Sequence, residues 1–355
     1  MRILSTATAV PAFRLDRDLC RRYVEQVFAG SPARLRAARA ILDRGRIEAR
    51  HLAAPPEELL KPRSLTEKSA QYRRTSLALC EEVTRRALDR AHLRPEDVDQ
   101  LVTTSCTGVM IPSVDAYLVE RLGMRRDVER LPITELGCAG GAAALRQART
   151  HQLAFPDHVS VVVACELPSL TINGAPGSMT ELVAALLFGD GAAAVALGRH
   201  AHRPSPALLD ARTHLLPESQ GLMGFDLEDG GLRLILDRSI PTRIKGEVRP
   251  LVDALLASHR LTLADIRFCA IHPGGRRILD DLDADLGLAG FTEPSWEVLR
   301  QYGNLSSATV LFVLEELALR PPPPAGAFGL LAAFGPGFSC ELGLLRFDDD
   351  AAALS

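Results

Sequence analysis

A chain of 355 residues, 47% apolar and 24% charged, with 41 basic against 44 acidic side chains and a net charge of -3, is globular and is neither disordered, collagen-like nor a membrane bundle. That balance gives no whole-protein field for holding nucleic acid or an anionic membrane. Single cores stop growing near about 250 to 300 residues, so the chain must form two domains or two halves of one large fold.

In chain order, Met1 to Phe13 carries an apolar run broken by Ser5, Thr6, Thr8 and Pro11, too short for a secretory signal or a membrane span. Residues 65 to 93 form a predicted amphipathic helix, with Leu77, Cys80, Val83, Ala87, Leu88 and Ala91 on one face. A turn at Arg94 to Asp97 leads into a predicted strand, Val98 to Thr104. Gly137-Cys138 then opens a small-residue helix, Ala139 to Ala148, and Phe188-Gly189-Asp190-Gly191-Ala192 leads into a strand through Ala193, Val195 and Leu197.

His200, His202, Pro204 and Pro206 interrupt the periodicity between 199 and 212, which reads as a hinge. Beyond it the pattern repeats. Val248 to His259 is helical, Leu263 to Ile271 repeats the turn and strand with Asp265-Ile266 matching Asp97-Val98, and Gly303-Asn304 opens a helix, Leu305 to Leu317. Phe334-Gly335-Pro336-Gly337-Phe338 leads into Cys340, Leu342 and Leu344, after a proline connector at Pro321 to Pro324. Asp348 to Ser355 reads as a frayed tail. Three landmarks in the same order argue for an internal duplication, with halves at 1–200 and 201–355, although any α/β protein offers some such matches.

The seven cysteines, Cys20, Cys80, Cys106, Cys138, Cys165, Cys269 and Cys340, include no C-x-x-C pair and no histidine at metal spacing. Neither a disulfide scaffold nor a zinc site is favoured, and a reducing cytoplasm is the expected location. Cys138 lies where a strand ends and a helix begins, beside Gly137, Gly140 and Gly141. A helix dipole there would lower the thiol pKa, and the glycines would let a carbonyl reach backbone donors. A small cysteine at a tight packing site is the plainer alternative. His272 ends the apolar strand Phe268 to Ile271 and precedes Pro273-Gly274-Gly275, at a rim where ligands bind in α/β folds. Asn304 is either an N-cap or a third member of the same centre. If the halves pack about a pseudo-twofold axis, Cys138 and Asn304 become symmetry mates with His272 beside them, a Cys/His/Asn centre for nucleophilic catalysis.

Five segments together, Leu136-Gly137-Cys138-Ala139-Gly140-Gly141, Leu187-Phe188-Gly189-Asp190-Gly191-Ala192-Ala193, Ile271-His272-Pro273-Gly274-Gly275, Gly303-Asn304-Leu305-Ser306-Ser307-Ala308 and Phe334-Gly335-Pro336-Gly337, resemble the signature set of type III polyketide synthases, the chalcone synthase superfamily. The resemblance runs from about residue 1 to 347. It implies a thiolase-like, five-layered αβαβα fold and an acyltransferase active as a homodimer without a metal or redox cofactor. Its substrates would be an acyl-CoA starter loaded on Cys138 and malonyl-CoA, condensed repeatedly with loss of carbon dioxide. A Cys138 thiolate paired with a His272 imidazolium would attack the starter. His272 and Asn304 would then stabilise the malonyl enolate.

The resemblance also places Phe188 and Leu234 at the two gatekeeper positions, the second a Phe in plant members, and Cys106, Glu166, Ser306, Gly335 and Pro336 around the pocket. Ile111 would reach across the dimer interface, and Arg44, Arg46 and Arg50 would meet CoA phosphates, unless they are only a solvated charge run. Gly221 to Pro241 looks more like bacterial alkylpyrone and alkylresorcinol synthases, which take fatty acyl starters, and an α-pyrone or resorcinol is the expected product. Cys106 also occurs in synthases that make tetrahydroxynaphthalene from malonyl-CoA alone, the close alternative. A β-ketoacyl synthase III is disfavoured by His272-Pro273-Gly274-Gly275 in place of a His-Gln-Ala-Asn run. A papain-like hydrolase carries no such duplication, and a silent partner would have lost Cys138.

Overall fold

The computed structural model describes residues 1–172, 174–228, 231–237, 239–244 and 246–348, apart from the side chains of 241 and 244. The tail from 349 onward, and positions 229, 230 and 238 of the 221–241 segment, lie outside the described residues. The strands are β1 (Arg2–Ala9), β2 (Phe13–Asp16), β3 (Ala49–Leu52), β4 (Gln100–Thr104), β5 (Glu129–Ile133), β6 (Ser160–Glu166), β7 (Gly191–Gly198), β8 (Ser205–Leu215), β9 (Met223–Glu228), β10 (Gly231–Leu236), β11 (Ile266–Ile271), β12 (Phe328–Gly335) and β13 (Ser339–Asp348). Nine of them are hydrogen-bonded in the order β11-β12-β13-β8-β1-β7-β6-β4-β5.

The duplication is visible in how these strands pair. β4 runs parallel to β6, β6 antiparallel to β7, and β7 antiparallel to β1. In the second half β11 runs parallel to β12, β12 antiparallel to β13, and β13 antiparallel to β8. β5 extends only the first half, parallel to β4. The halves touch where β1 meets β8 at Arg2 and Ala207. The segment expected to be a hinge is therefore largely strand. From Ser205 onward it pairs with β13, and its prolines fall at the strand's start, where a missing donor is tolerated.

Alternation along the strands sorts side chains into layers. Val161, Val163 and Cys165 pack with Leu77, Cys80, Val83, Ala87 and Leu88 of the helix Leu65–Ala91. Val162 and Ala164 face the other way, onto Ala144, Leu145 and Ala148 of the helix Gly140–Ala154 and Val310 and Val313 of the helix Thr309–Ala318. Leu331, Ala333 and Leu345 close that central core from the second half, while Leu330, Ala332, Leu342 and Leu344 face the helices Val248–Ala257 and Arg276–Leu286. The result is helices, sheet, helices, sheet, helices, the five-layered α/β fold expected. No helix among the described residues is long and apolar enough to cross a membrane.

Local sequence explains the repeated elements. Ser64 and Glu67 form a reciprocal cap at the start of the helix Leu65–Ala91. The turns Pro95–Asp97 and Leu263–Asp265 are closed the same way, with Asp97 accepting from Arg94 N and Asp265 from Thr262 N, each at 2.8 Å.

The two central helices are each preceded by one tight turn, Gly137–Ala139 and Ser306–Ala308. Gly137 and Ser306 both hold positive φ, 46° and 50°. This equivalence corrects the expected symmetry: Ser307, not Asn304, is the mate of Cys138. A Cβ on Gly141 would stand 2.2 Å from Ser307 O, and one on Gly140 2.5 Å from Thr104 Oγ1, so these glycines serve the close approach of the helices across the axis.

Candidate active site

Cys138 sits at the middle of its turn, 8% exposed. Its Sγ is 3.8 Å from Asn304 Oδ1 and 3.6 Å from Ser306 Oγ. Burial pushes the thiol up to about 11, against the pull of the hydrogen bond to Ser306; the nearby Glu166 charge adds to the rise and the Asn304 bond opposes it. The helix that begins at Gly140 offers an anion about 0.3 to 1 kcal/mol. Burial outweighs it, and the low thiol pKa expected from the helix end alone does not result.

His272 follows β11 directly, its N–H donating to Ala332 O at 2.8 Å. The imidazole is 1% exposed, its Nδ1 is buried without a partner, and burial pushes its pKa down to about 3. No hydrogen bond joins His272 to Cys138 among the described residues, so the expected thiolate–imidazolium contact is absent from this state. Burial acting on each group singly leaves both uncharged. A charge on either is supported only by an opposite charge close by.

Asn304 is held on both sides. Its Oδ1 accepts from Ser306 N at 2.8 Å and Thr309 Oγ1 at 3.3 Å, and its Nδ2 donates to Gly274 O at 3.3 Å. The N-cap positions of the turn and of the helix that follows fall on Leu305 and Ala308, so Asn304 is not the N-cap residue, although its side chain accepts from the first N–H of the turn. Since Ser306 N can only donate, it fixes the amide orientation and directs Nδ2 toward Gly274. A Cβ on that glycine would lie 3.7 Å from His272 Cδ2 and Nε2, so the amide donor and the imidazole share one corner.

Glu166, expected at the pocket, lies at the end of β6 and is fully buried. It accepts from Cys106 N at 3.2 Å, Thr107 Oγ1 at 2.7 Å and Ser307 Oγ at 2.5 Å. Burial raises its pKa, and the hydrogen bonds from Ser307, Thr107 and Cys106 hold the rise in check. This carboxyl ties the loop after β4 to the Ser307 turn. Cys106 Sγ lies 3.4 Å from Ser306 Oγ.

Two cavities flank the centre. One of about 380 Å³ reaches from Cys138, Ser306, Phe188 and Leu234 to an apolar wall that includes Leu15, Val24 and Phe28. The other, about 460 Å³, is lined by Cys106, Thr104 and Ile111 among others. Phe225, Leu232 and Pro336 line both. Cys138 lines the first and Cys106 the second, and Ser306 Oγ lies within 3.6 Å of both sulfurs. Gly335 lines neither cavity. A Cβ there would meet Leu136 O at 2.4 Å, so it lets the end of β12 close on the Cys138 turn.

The three arginines also separate. Arg44 and Arg46 are exposed, with the Arg46 guanidinium 4.8 Å over the Trp296 ring. Arg50 is 3% exposed and turned inward onto backbone carbonyls, which removes it from a phosphate-binding mouth. Sequence reasoning missed Ser307, Phe225 and the wall from the helix Arg17–Val27. The apolar residues of that helix look like any amphipathic helix, so no sequence signal separates a cavity wall from ordinary core. Among the described residues no cluster of three His, Cys, Asp or Glu side chains is placed to hold a metal.

Comparison with known proteins adds the following. The family models for chalcone and stilbene synthases match over 4–201 for the N-terminal domain and 207–347 for the C-terminal domain. A 1,3,6,8-tetrahydroxynaphthalene synthase of Streptomyces peucetius subsp. caesius is 42% identical over 306 residues, covering 85% of this chain and 81% of that protein. An alpha-pyrone synthesis polyketide synthase-like protein of Mycobacterium tuberculosis is 28% identical over 348 residues, 94% of this chain and 88% of that one. The crystal structure of 1,3,6,8-tetrahydroxynaphthalene synthase from Streptomyces coelicolor A3(2), a bacterial type III polyketide synthase, superposes with a TM-score of 0.94 at 30% identity, covering 98% of this chain and 99% of that one.

Proposed function

The chain belongs to the chalcone and stilbene synthase family, as a type III polyketide synthase and hence an acyltransferase, and we propose that it builds 1,3,6,8-tetrahydroxynaphthalene from malonyl-CoA alone. The observation that carries this product is the 42% identity to a synthase of that name, against 28% to the alpha-pyrone relative. It moves the weight from the fatty acyl starter favoured by the 221–241 segment to the malonyl-primed alternative.

In the proposed reaction the Cys138 thiol gives its proton to His272 and attacks the malonyl thioester, and CoA thiolate leaves with that proton. A second malonyl-CoA places its thioester oxygen against His272 and Asn304 Nδ2. As the carboxylate departs as carbon dioxide, the electron pair of the broken bond becomes an enolate held by those donors. Asn304 suits the task because its amide donates without competing as a base. The enolate carbon then attacks the Cys138 thioester; a carbon–carbon bond forms, the bond to Cys138 Sγ breaks and frees its thiolate, and the lengthened chain, now a CoA thioester, is taken back by that thiolate with release of CoA for the next round. No metal or redox cofactor enters this scheme. The working form is proposed to be a cytoplasmic homodimer, with Ile111, 90% exposed, at the interface and Arg44 and Arg46 meeting CoA phosphates.

A second reading, a fatty acyl starter closed to an α-pyrone or resorcinol, is favoured by one feature. Leu15, Val24, Val27, Phe28, Leu52 and Leu59 line the first cavity away from Cys138 and would shelter an alkyl tail.

Mass spectrometry of products from purified protein with malonyl-CoA, alone and with acyl-CoA of increasing length, separates the two. Tetrahydroxynaphthalene from malonyl-CoA alone is the expected result. Pyrones or resorcinols that require an acyl starter and grow with it would replace that reading with the second.

A further inference from the structure

Arg50 lies on β3, away from the site in sequence, and is a buried cation for which no salt bridge exists among the described residues. Its Nη1 donates to Ala185 O at 2.5 Å and Phe188 O at 2.9 Å, and its Nη2 to Cys20 Sγ at 3.4 Å. The first two carbonyls belong to the last turn and the cap of the helix Met179–Leu187, whose end would otherwise be left with unpaired acceptors.

The stem of the same side chain is enclosed by two glycines. A Cβ on Gly303 would stand 3.1 Å from Arg50 Cγ and Cδ, and one on Gly189 3.4 Å from Arg50 Cβ. Gly303 has a φ of 70° with ψ at -153°, a conformation open only to glycine. The backbones on either side of Arg50 are bonded to each other: Asn304 N donates to Leu187 O and Gly189 N to Asn304 O, each at 3.0 Å. Phe188 and Asn304 thus pair as a single parallel bridge, and Arg50 packs against both of its strands.

We infer that Arg50 is a positioning residue, which sets the Asn304 amide and the Phe188 ring at the height the condensation requires by clamping the Phe188–Asn304 bridge. This rests on the role given to Asn304 under the proposed function. The planar guanidinium reaches two carbonyls from one nitrogen while its stem fills the space between the glycines. A lysine keeps the charge but has no such fork. Cys138 stands on a different turn with no hydrogen bond to Arg50, and its link to the clamp is its bond to Asn304 Oδ1, so alkylation in Asn304→Ala sets the limit for any change in Arg50→Met.

The test uses the full chain with malonyl-CoA, reading release of carbon dioxide and, separately, the rate of Cys138 alkylation by iodoacetamide, in Arg50→Met, Arg50→Lys, Asn304→Ala and the double variant Arg50→Met/Asn304→Ala. Displacing a donor by about an ångström costs up to about 100-fold. Arg50→Met should therefore lower kcat for decarboxylation by about 10- to 100-fold with KM little changed. Alkylation should fall no further in Arg50→Met than in Asn304→Ala, and Arg50→Lys should recover part of the loss. Adding Arg50→Met to Asn304→Ala should bring no further fall, because one acts through the other.

Decarboxylation at the unaltered rate in Arg50→Met, a further full fall in the double variant, or alkylation falling further than in Asn304→Ala would each overturn the inference. Should Arg50→Met not fold, Arg50→Lys carries the same comparison, and a loss of decarboxylation with alkylation no slower than in Asn304→Ala remains the required outcome. Full decarboxylation by Asn304→Ala would overturn the inference together with the reading of the site beneath it, a result distinct from failure at Arg50 alone.

Discussion

Ser306 Oγ stands between two thiols, 3.6 Å from Cys138 Sγ and 3.4 Å from Cys106 Sγ. One hydroxyl proton serves one acceptor at a time, so whichever sulfur ionises takes it. Both thiols are pushed up by burial, and in both the Ser306 bond works against that rise. The serine lines the first cavity beside Cys138 and reaches the Cys106 thiol that lines the second.

Removing that hydroxyl should therefore make Cys138 a poorer nucleophile. Ser306 holds a φ of 50°, so glycine deletes the hydroxyl without adding backbone strain. A hydrogen bond to a charged group contributes about 1.5 to 3 kcal/mol, so Ser306→Gly should slow alkylation of Cys138 at neutral pH by about tenfold or more. Iodoacetamide kinetics across pH would show it as an upward shift of the profile, and an unmoved profile would remove Ser306 from thiolate stabilisation.

His272 governs the pH dependence. Burial disfavours the charged thiolate and so raises the thiol pKa, to about 11, which leaves about one thiolate in ten thousand at pH 7. Proton transfer to His272 is what the mechanism offers against that. In His272→Ala, alkylation should become very slow at pH 7 and climb steadily as pH rises past 9. A variant that keeps the parent protein's rate at pH 7 would show that the imidazole does not support the thiolate.

Cys138 and the decarboxylation donors should separate experimentally. Cys138→Ala should abolish the condensed product but retain some release of carbon dioxide from malonyl-CoA, since the proposed donors to the thioester oxygen, His272 and Asn304, are unaltered. His272→Ala loses that release. Chromatography of the CoA species checks both, and normal product from Cys138→Ala would sink the covalent mechanism.

Asp190, in the turn before β7, makes stability depend on pH. Its carboxyl accepts from Ser169 N at 2.9 Å and Ala53 N at 2.7 Å, yet burial raises its pKa to about 7. A carboxyl whose folded pKa exceeds its unfolded value binds more protons in the folded state between the two, so stability falls as pH rises from about 4 to 7 and then levels. The buried Glu166 is shifted in the same direction. Thermal unfolding followed from pH 5 to 8 should show the decline. Asp190→Asn, which cannot titrate, should flatten part of it even if it unfolds earlier at every pH, and an unchanged slope would assign the effect elsewhere.

The sequence alone determined the features that depend on neighbours along the chain. Glycines flank Cys138 because a tight turn and close helices meet there, an apolar strand ends at His272, and the turns closed by Asp97 and Asp265 are set within four residues. The duplication was legible for the same reason, each half repeating its own local order. The five layers and the type III polyketide synthase family followed from motifs in sequence. Only the tertiary structure decided which residues share a surface. It gave Cys138 the mate Ser307, set Cys106 and Cys138 on either side of Ser306 Oγ, tied Glu166 to the Ser307 turn, and buried Arg50, a candidate phosphate ligand, against the Ala185 and Phe188 carbonyls. It also decided which charges burial disfavours at the centre. Burial is the sum of contacts from segments far apart in the chain, and it is burial, not residue type or spacing, that moved the Cys138 thiol up and the His272 imidazole down.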